Sequence, residues 1–95
     1  MSSMMEIRNR TDRARILVRL AAFEYRRGHA ISAVIFEIAA IEEYCDISKA
    51  VTTLTEAEAD LIEPCFTDLE KAMQALPRFA FANNTNGFVL LCERN

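Results

Sequence analysis

The sequence predicts a mainly α-helical fold of three or four antiparallel helices, and three observations predict it. Hydrophobic residues fill 52% of the 95 positions while Gly and Pro number two each, a composition rich in helix formers and poor in turn formers. Apolar residues recur at three- and four-residue steps over long stretches, which places them on one side of a helix. Helix start and stop signals divide those stretches. Ninety-five residues suit a single domain, 1–95, which would bury roughly 60–65% of its unfolded surface.

The first helix is expected over residues 4–27. Ser3 followed by Glu6 has the form of a capping box, the apolar period runs to Tyr25, and Gly28 supplies the stop. A second helix is expected over 29–46, with Ile31, Val34, Ile38, Ile41 and Cys45 on its buried face and Ser32, Glu37, Glu42 and Glu43 on the others. This helix should be central to the fold. ISKAVTTL is β-branched and weakly periodic. Thr55 and Glu58 then form a second capping box opening a third helix over 56–76, which Pro77 closes. Pro64, inside that pattern, should either kink the helix or divide it, because it lacks an N–H and crowds the preceding turn. The tail, 78–95, changes character: RFAFA alternates, NNTNG is rich in turn residues, and FVLLCE is a short apolar run. Together they have the pattern of a β-hairpin, the alternative being an irregular apolar tail packed on the helices.

Charge is unevenly spread. The chain carries a formal −3, yet residues 1–27 hold seven arginines against Glu6, Asp12 and Glu24, a net of +4, which leaves −7 for residues 28–95. At ~100° per residue, Arg8, Arg15, Arg19 and Arg26 share a narrow arc of the first helix, and at ~1.5 Å per residue the stripe is about 27 Å long. Arg10, Arg13 and Arg27 flank it. On the third helix Glu56, Asp60, Glu63 and Glu70 share an arc in the same way. Such polarisation can attract within a subunit, between subunits or toward a partner. The arginine stripe has three readings: a solvated face with scattered ion pairs, a surface that recognises protein carboxylates through the planar guanidinium fork, or a phosphate-binding face for nucleic acid. The acidic remainder of the chain opposes the last.

No catalytic or metal-binding motif is present. His29 is the only histidine, no nucleophile–base arrangement can be spaced around it, and no glutamate is followed three residues later by histidine, as bundle di-metal sites require. With glycines only at 28 and 87 there is no phosphate-cradling loop. An enzyme is not expected, nor a cofactor. Cys45, Cys65 and Cys92 are odd in number and widely spaced, which favours reduced thiols. The charged start lacks the pattern of a signal peptide, and Ala30–Ile41 is far shorter than the ~20 apolar residues of a membrane span. A cytoplasmic location without membrane attachment is expected.

Leu17, Leu20, Ala21, Gly28, Ala33 and Ala40 resemble the spacing of a single tetratricopeptide-type helical hairpin. Glu24, Ala30 and Glu37 stand where that pattern favours aromatic residues, and no second copy follows, so the family is not assigned.

So much apolar surface on so short a chain predicts contact with another chain, and a homodimer is expected. The leading functional expectation is a small regulator that binds another protein, such as a transcription regulator, and covers or dissociates its interface, as anti-activators and inhibitors do. Arg8, Arg15, Arg19 and Arg26 are the candidate contacts, with Phe79, Phe81 and Phe88 as apolar anchors. A helical nucleic-acid-binding regulator using the same arginines is the second expectation. A chaperone-like or structural assembly subunit is the third.

Overall fold

The computed structural model describes residues 3–84. They form four α-helices: α1 (Met4–Arg26), α2 (Ala30–Val51), α3 (Glu56–Met73) and α4 (Pro77–Asn84). The fold is mainly α, as the sequence predicts.

Local chemistry sets most boundaries. The Ser3 hydroxyl accepts from the Glu6 amide at 3.1 Å and satisfies one of the open donors at the start of α1. Gly28 ends the helix in the left-handed region, at φ +77°. The His29 amide donates to the Glu24 carbonyl at 2.9 Å and the Gly28 amide to the Tyr25 carbonyl at 3.1 Å, which are the two bonds of a Schellman motif. Chain reversal thus takes only three residues. Thr55 and Glu58 complete a reciprocal capping box at the start of α3.

The helix α2 runs five residues past the predicted end at Asp46, so ISKAV is helical. Pro64 does not divide α3, which is continuous across it. Pro64 is exposed, so the carbonyl one turn back, lacking its usual donor, has access to water.

The closest helix packing is between α1 and α2, followed by α1 with α3 and α2 with α4. Ala14 and Ala21 of α1 and Ala33 and Ala40 of α2 are fully buried, and these small side chains let the two helices lie close together. Ile7, Val18, Ile41, Ile47, Ile62, Leu69, Met73, Leu76 and Phe79 fill the core around them. Tyr44 of α2 stacks on Phe66 of α3, with centroids 5.1 Å apart, and meets Phe79 of α4 edge-on at 5.2 Å. The two largest helix contacts both involve α1, so the centre expected at α2 is shared with α1, while Tyr44 ties α2 to α3 and α4.

Three expectations need correction. The buried face of α2 is turned from the predicted one: Ile41 and Cys45 are buried, but Ile31 and Ile38 are exposed and Glu37 is fully buried. Ala33 and Ala40 lie on the buried side in their place. RFAFA is not a strand but part of α4, which begins at Pro77, a favoured first position of a helix; residues 85–95 of the expected hairpin lie outside the described residues. Finally, reduced thiols are expected at all three cysteines, yet Cys45 is disulfide-bonded, while Cys65 is a free thiol.

Candidate protein-binding surface

The surface is best built outward from α1, which carries two apolar arcs. One arc, with Ile7, Ala14, Val18 and Ala21, enters the core. The other, with Ile16, Leu20 and Phe23, lies about opposite at ~100° per residue and is 39–54% exposed. Arg19 and Arg26 border this outer row on one side and Arg13 on the other, all exposed. The Arg27 guanidinium sits over the Phe23 ring, 5.2 Å from its centroid.

The arginines divide by partner. Arg10 reaches α2, where its Nε lies 3.3 Å from Glu43 Oε2 and a terminal guanidinium nitrogen 3.2 Å from Asp46 Oδ2. Arg8, Arg13, Arg15, Arg19 and Arg26 form no ion pair among the described residues. The carboxylates of α3 do not reach them. Glu56, Asp60 and Glu63 are exposed, whereas Glu70, predicted on the same stripe, accepts a hydrogen bond from the Tyr44 hydroxyl at 3.1 Å.

A second apolar row stands on α2. Ile31, Ile35 and Ile38 are 80%, 61% and 43% exposed. From Ala30 to Ile41 the sole ionisable residue is Glu37, and it is buried. This outer face therefore carries no charge until Glu42.

Of the predicted phenylalanine anchors, Phe79 is not available: it is buried in the core. Phe81 is exposed. Phe88 lies outside the described residues.

Beneath the surface is one buried polar cluster. Glu37 accepts from the Tyr25 hydroxyl through Oε1 and from the Phe79 amide, at 2.9 Å, through Oε2. That amide is an open donor in the first turn of α4, so Glu37 caps a helix 42 residues away. Burial, then the bond and charge of Glu37, push the Tyr25 hydroxyl up to about 12 from its ordinary 10.0. Burial, then Glu70, push Tyr44 upward as well. No buried side-chain nitrogen or oxygen among the described residues lacks a partner.

Among the described residues no three His, Cys, Asp or Glu side chains are grouped to hold a metal. The concavity between α1 and α3, about 230 Å³, is lined by Met4, Met5, Arg8, Leu61, Ile62 and Cys65 and contains no acid–base pair. His29 Nδ1 lies 2.7 Å from Glu24 Oε2 across the α1–α2 turn, where it joins the helix ends. No helix among the described residues is long and apolar enough to cross a membrane. The chain matches no known protein-family model, no curated protein and no solved structure.

Sequence reasoning singled out the arginine stripe but missed both exposed apolar rows and the Glu37 cluster. A signal for the rows exists: Ile16, Leu20 and Phe23, and likewise Ile31, Ile35 and Ile38, fall at i, i+4 and i+7. Two apolar arcs on one helix mean that one must face outward or meet another chain. Glu37 carries no such signal, because its donors come from 12 and 42 residues away.

Proposed function

We propose that this protein is a small cytoplasmic regulator, not an enzyme, that acts as a homodimer by binding another protein and covering or dissociating that partner's interface. The observation that carries the reading is the pair of apolar rows, Ile16–Leu20–Phe23 and Ile31–Ile35–Ile38, standing exposed on α1 and α2. Apolar rows of this kind on a small chain mark contacts with other chains. The row on α1 is bordered by arginines that form no ion pair among the described residues, a residue type enriched where proteins meet. The row on α2 is uncharged and suits a second copy.

The test is affinity capture from native cells with the wild-type chain and with Arg15→Glu/Arg19→Glu/Arg26→Glu. Loss of one abundant captured protein by the variant supports the reading. An identical set of captured proteins for both, in a variant with unchanged helical content, counts against it.

A nucleic-acid-binding regulator is the second reading, favoured by arginines without an ion pair among the described residues, spread along about 27 Å of helix. The apolar row beside them argues for protein, because a phosphate backbone leaves Ile16, Leu20 and Phe23 without a partner. Titration with duplex DNA at increasing salt separates the two: a steep salt dependence flattened by Arg15→Ala/Arg19→Ala would favour phosphates.

The compartment is testable too. Disulfides are rare in reducing compartments, and Cys45 is in one. Acid-quenched cells, alkylated under denaturing conditions, should show Cys45 reduced if the protein resides in the cytoplasm. Modification only after chemical reduction would place it in an oxidising compartment.

A further inference from the structure

The outer face of α1 is specific enough in its chemistry to say what kind of segment it takes. Ile16, Leu20 and Phe23 sit one helical turn apart in sequence and are 39–54% exposed. That spacing is how one helix offers a ridge to another. Arg13 stands on one side of the row and Arg19 and Arg26 on the other, with no ion pair to any of them among the described residues. Asp12 is the one carboxylate on this arc of α1.

Apolar spacing alone would admit any amphipathic helix. The arginine border narrows the choice, since guanidinium groups pair with carboxylates in a planar fork while their stems pack on apolar neighbours. A basic or neutral helix would leave the border unpaired or opposed. Among the described residues, α3 of a second copy does not supply the match either. Its acidic residues Glu56, Asp60 and Glu63 point away from the buried row of α3, with no apolar row of their own between them.

Resting on the protein-binding reading above, we propose that the outer face of α1 seats an acidic amphipathic helix of the partner protein. Its apolar ridge lies on Ile16, Leu20 and Phe23, and its flanking Asp or Glu residues pair with Arg13 on one side and Arg19 and Arg26 on the other. From Arg13 to Arg26 these contacts span about 20 Å at ~1.5 Å per residue, the length of a partner helix of about 13 residues.

The experiment measures fluorescence anisotropy of labelled synthetic helices of about that length on the full chain. The first probe has leucine at core-facing heptad positions bordered by glutamate. The second has lysine in place of the glutamates, and the third scrambles the first. The glutamate-bordered helix should bind at least tenfold more tightly than either control. Leu20→Ala/Phe23→Ala and Arg13→Ala/Arg19→Ala should each weaken it at least tenfold, the arginine pair also reducing its salt dependence. Thr67→Ala, at an exposed position of α3, should leave it unchanged.

Equal binding of the scrambled probe would reduce the effect to bulk charge and overturn the inference. So would binding indifferent to Leu20 and Phe23, or displacement by duplex DNA at equal phosphate and carboxylate concentration in a manner indifferent to those two residues. Circular dichroism checks that each variant is folded. Should the apolar pair unfold, the arginine pair and the lysine probe decide the matter. If native capture depends on the arginines but the acidic helix does not bind, protein binding stands and this inference falls; if neither is seen, both fall.

Discussion

Burial of the Glu37 carboxylate is tolerated because two donors meet it, the Tyr25 hydroxyl and the Phe79 amide. A buried acceptor removed from such a cluster leaves its donors desolvated and unpaired, at about 1–3 kcal/mol each. Glu37→Ala should therefore lower stability by roughly 2–6 kcal/mol, read as a fall in the urea midpoint at unchanged m-value. Tyr25→Phe, which keeps the ring and removes one donor, should cost about 1–3 kcal/mol in the same measurement. The pH dependence has a definite sign. Tyr25 is raised to about 12 in the folded chain, so the folded state favours the neutral phenol. Its contribution is complete below pH 10.0, the unfolded value, and is lost as pH rises from there through about 12. Tyr44 is shifted in the same direction. The wild-type midpoint should fall as pH increases above 10.0, and Tyr25→Phe should fall less steeply. An equal slope for both would show that the Tyr25–Glu37 bond does not set the alkaline limit. None of this is legible locally, since Glu37 interrupts an apolar run and its position in the chain predicts a solvent-facing charge.

At the level of whole helices, boundaries were legible wherever a short-range signal determines them. Ser3, Gly28 and the Thr55–Glu58 pair are read correctly because caps and turns depend on residues within a few positions of one another. The rotation of α2 was not legible. Its larger apolar residues suggest one buried face, but the small residues Ala33 and Ala40 permit closer approach to α1 and prevail. The start of α4 was misread because RFAFA alternates like a strand, although Pro77 at its head is equally a helix signal. Substitutions test these elements. No atom lies within 4 Å of a Cβ built on Gly28, so Gly28→Ala should cost only the left-handed backbone strain, about 1–2 kcal/mol, and Gly28→Asn less. Pro64→Ala restores an N–H to the middle of α3 and removes the ring's crowding; it should raise the thermal midpoint, since an interior proline costs about 3 kcal/mol. No rise in midpoint would mean that the helix has already accommodated Pro64 elsewhere.

Across the whole molecule, the opposite charges of the two ends were visible in composition, but not whether they meet. Tertiary placement decides that: Arg10 alone of the α1 arginines forms ion pairs among the described residues, and it does so with α2, not with the acidic face of α3. Arg8, Arg13, Arg15, Arg19 and Arg26 thus have no carboxylate partner among the described residues. The isoleucine row of α2, if it is covered by another chain, suits a different kind of neighbour, because no charge on it selects one. Two copies joined across a twofold axis through Ile31, Ile35 and Ile38 would bury apolar side chains against their own kind. Pairing through α1 would set arginine against arginine. Ile35→Glu, placing a charge in the middle of the row, should therefore shift sedimentation equilibrium from dimer to monomer while helical content holds. Arg15→Glu/Arg19→Glu should leave the dimer intact. Wild-type protein that stays monomeric at high concentration, or a dimer untouched by Ile35→Glu but broken by the arginine variant, would place self-association elsewhere and return the isoleucine row to the list of surfaces open to a different partner.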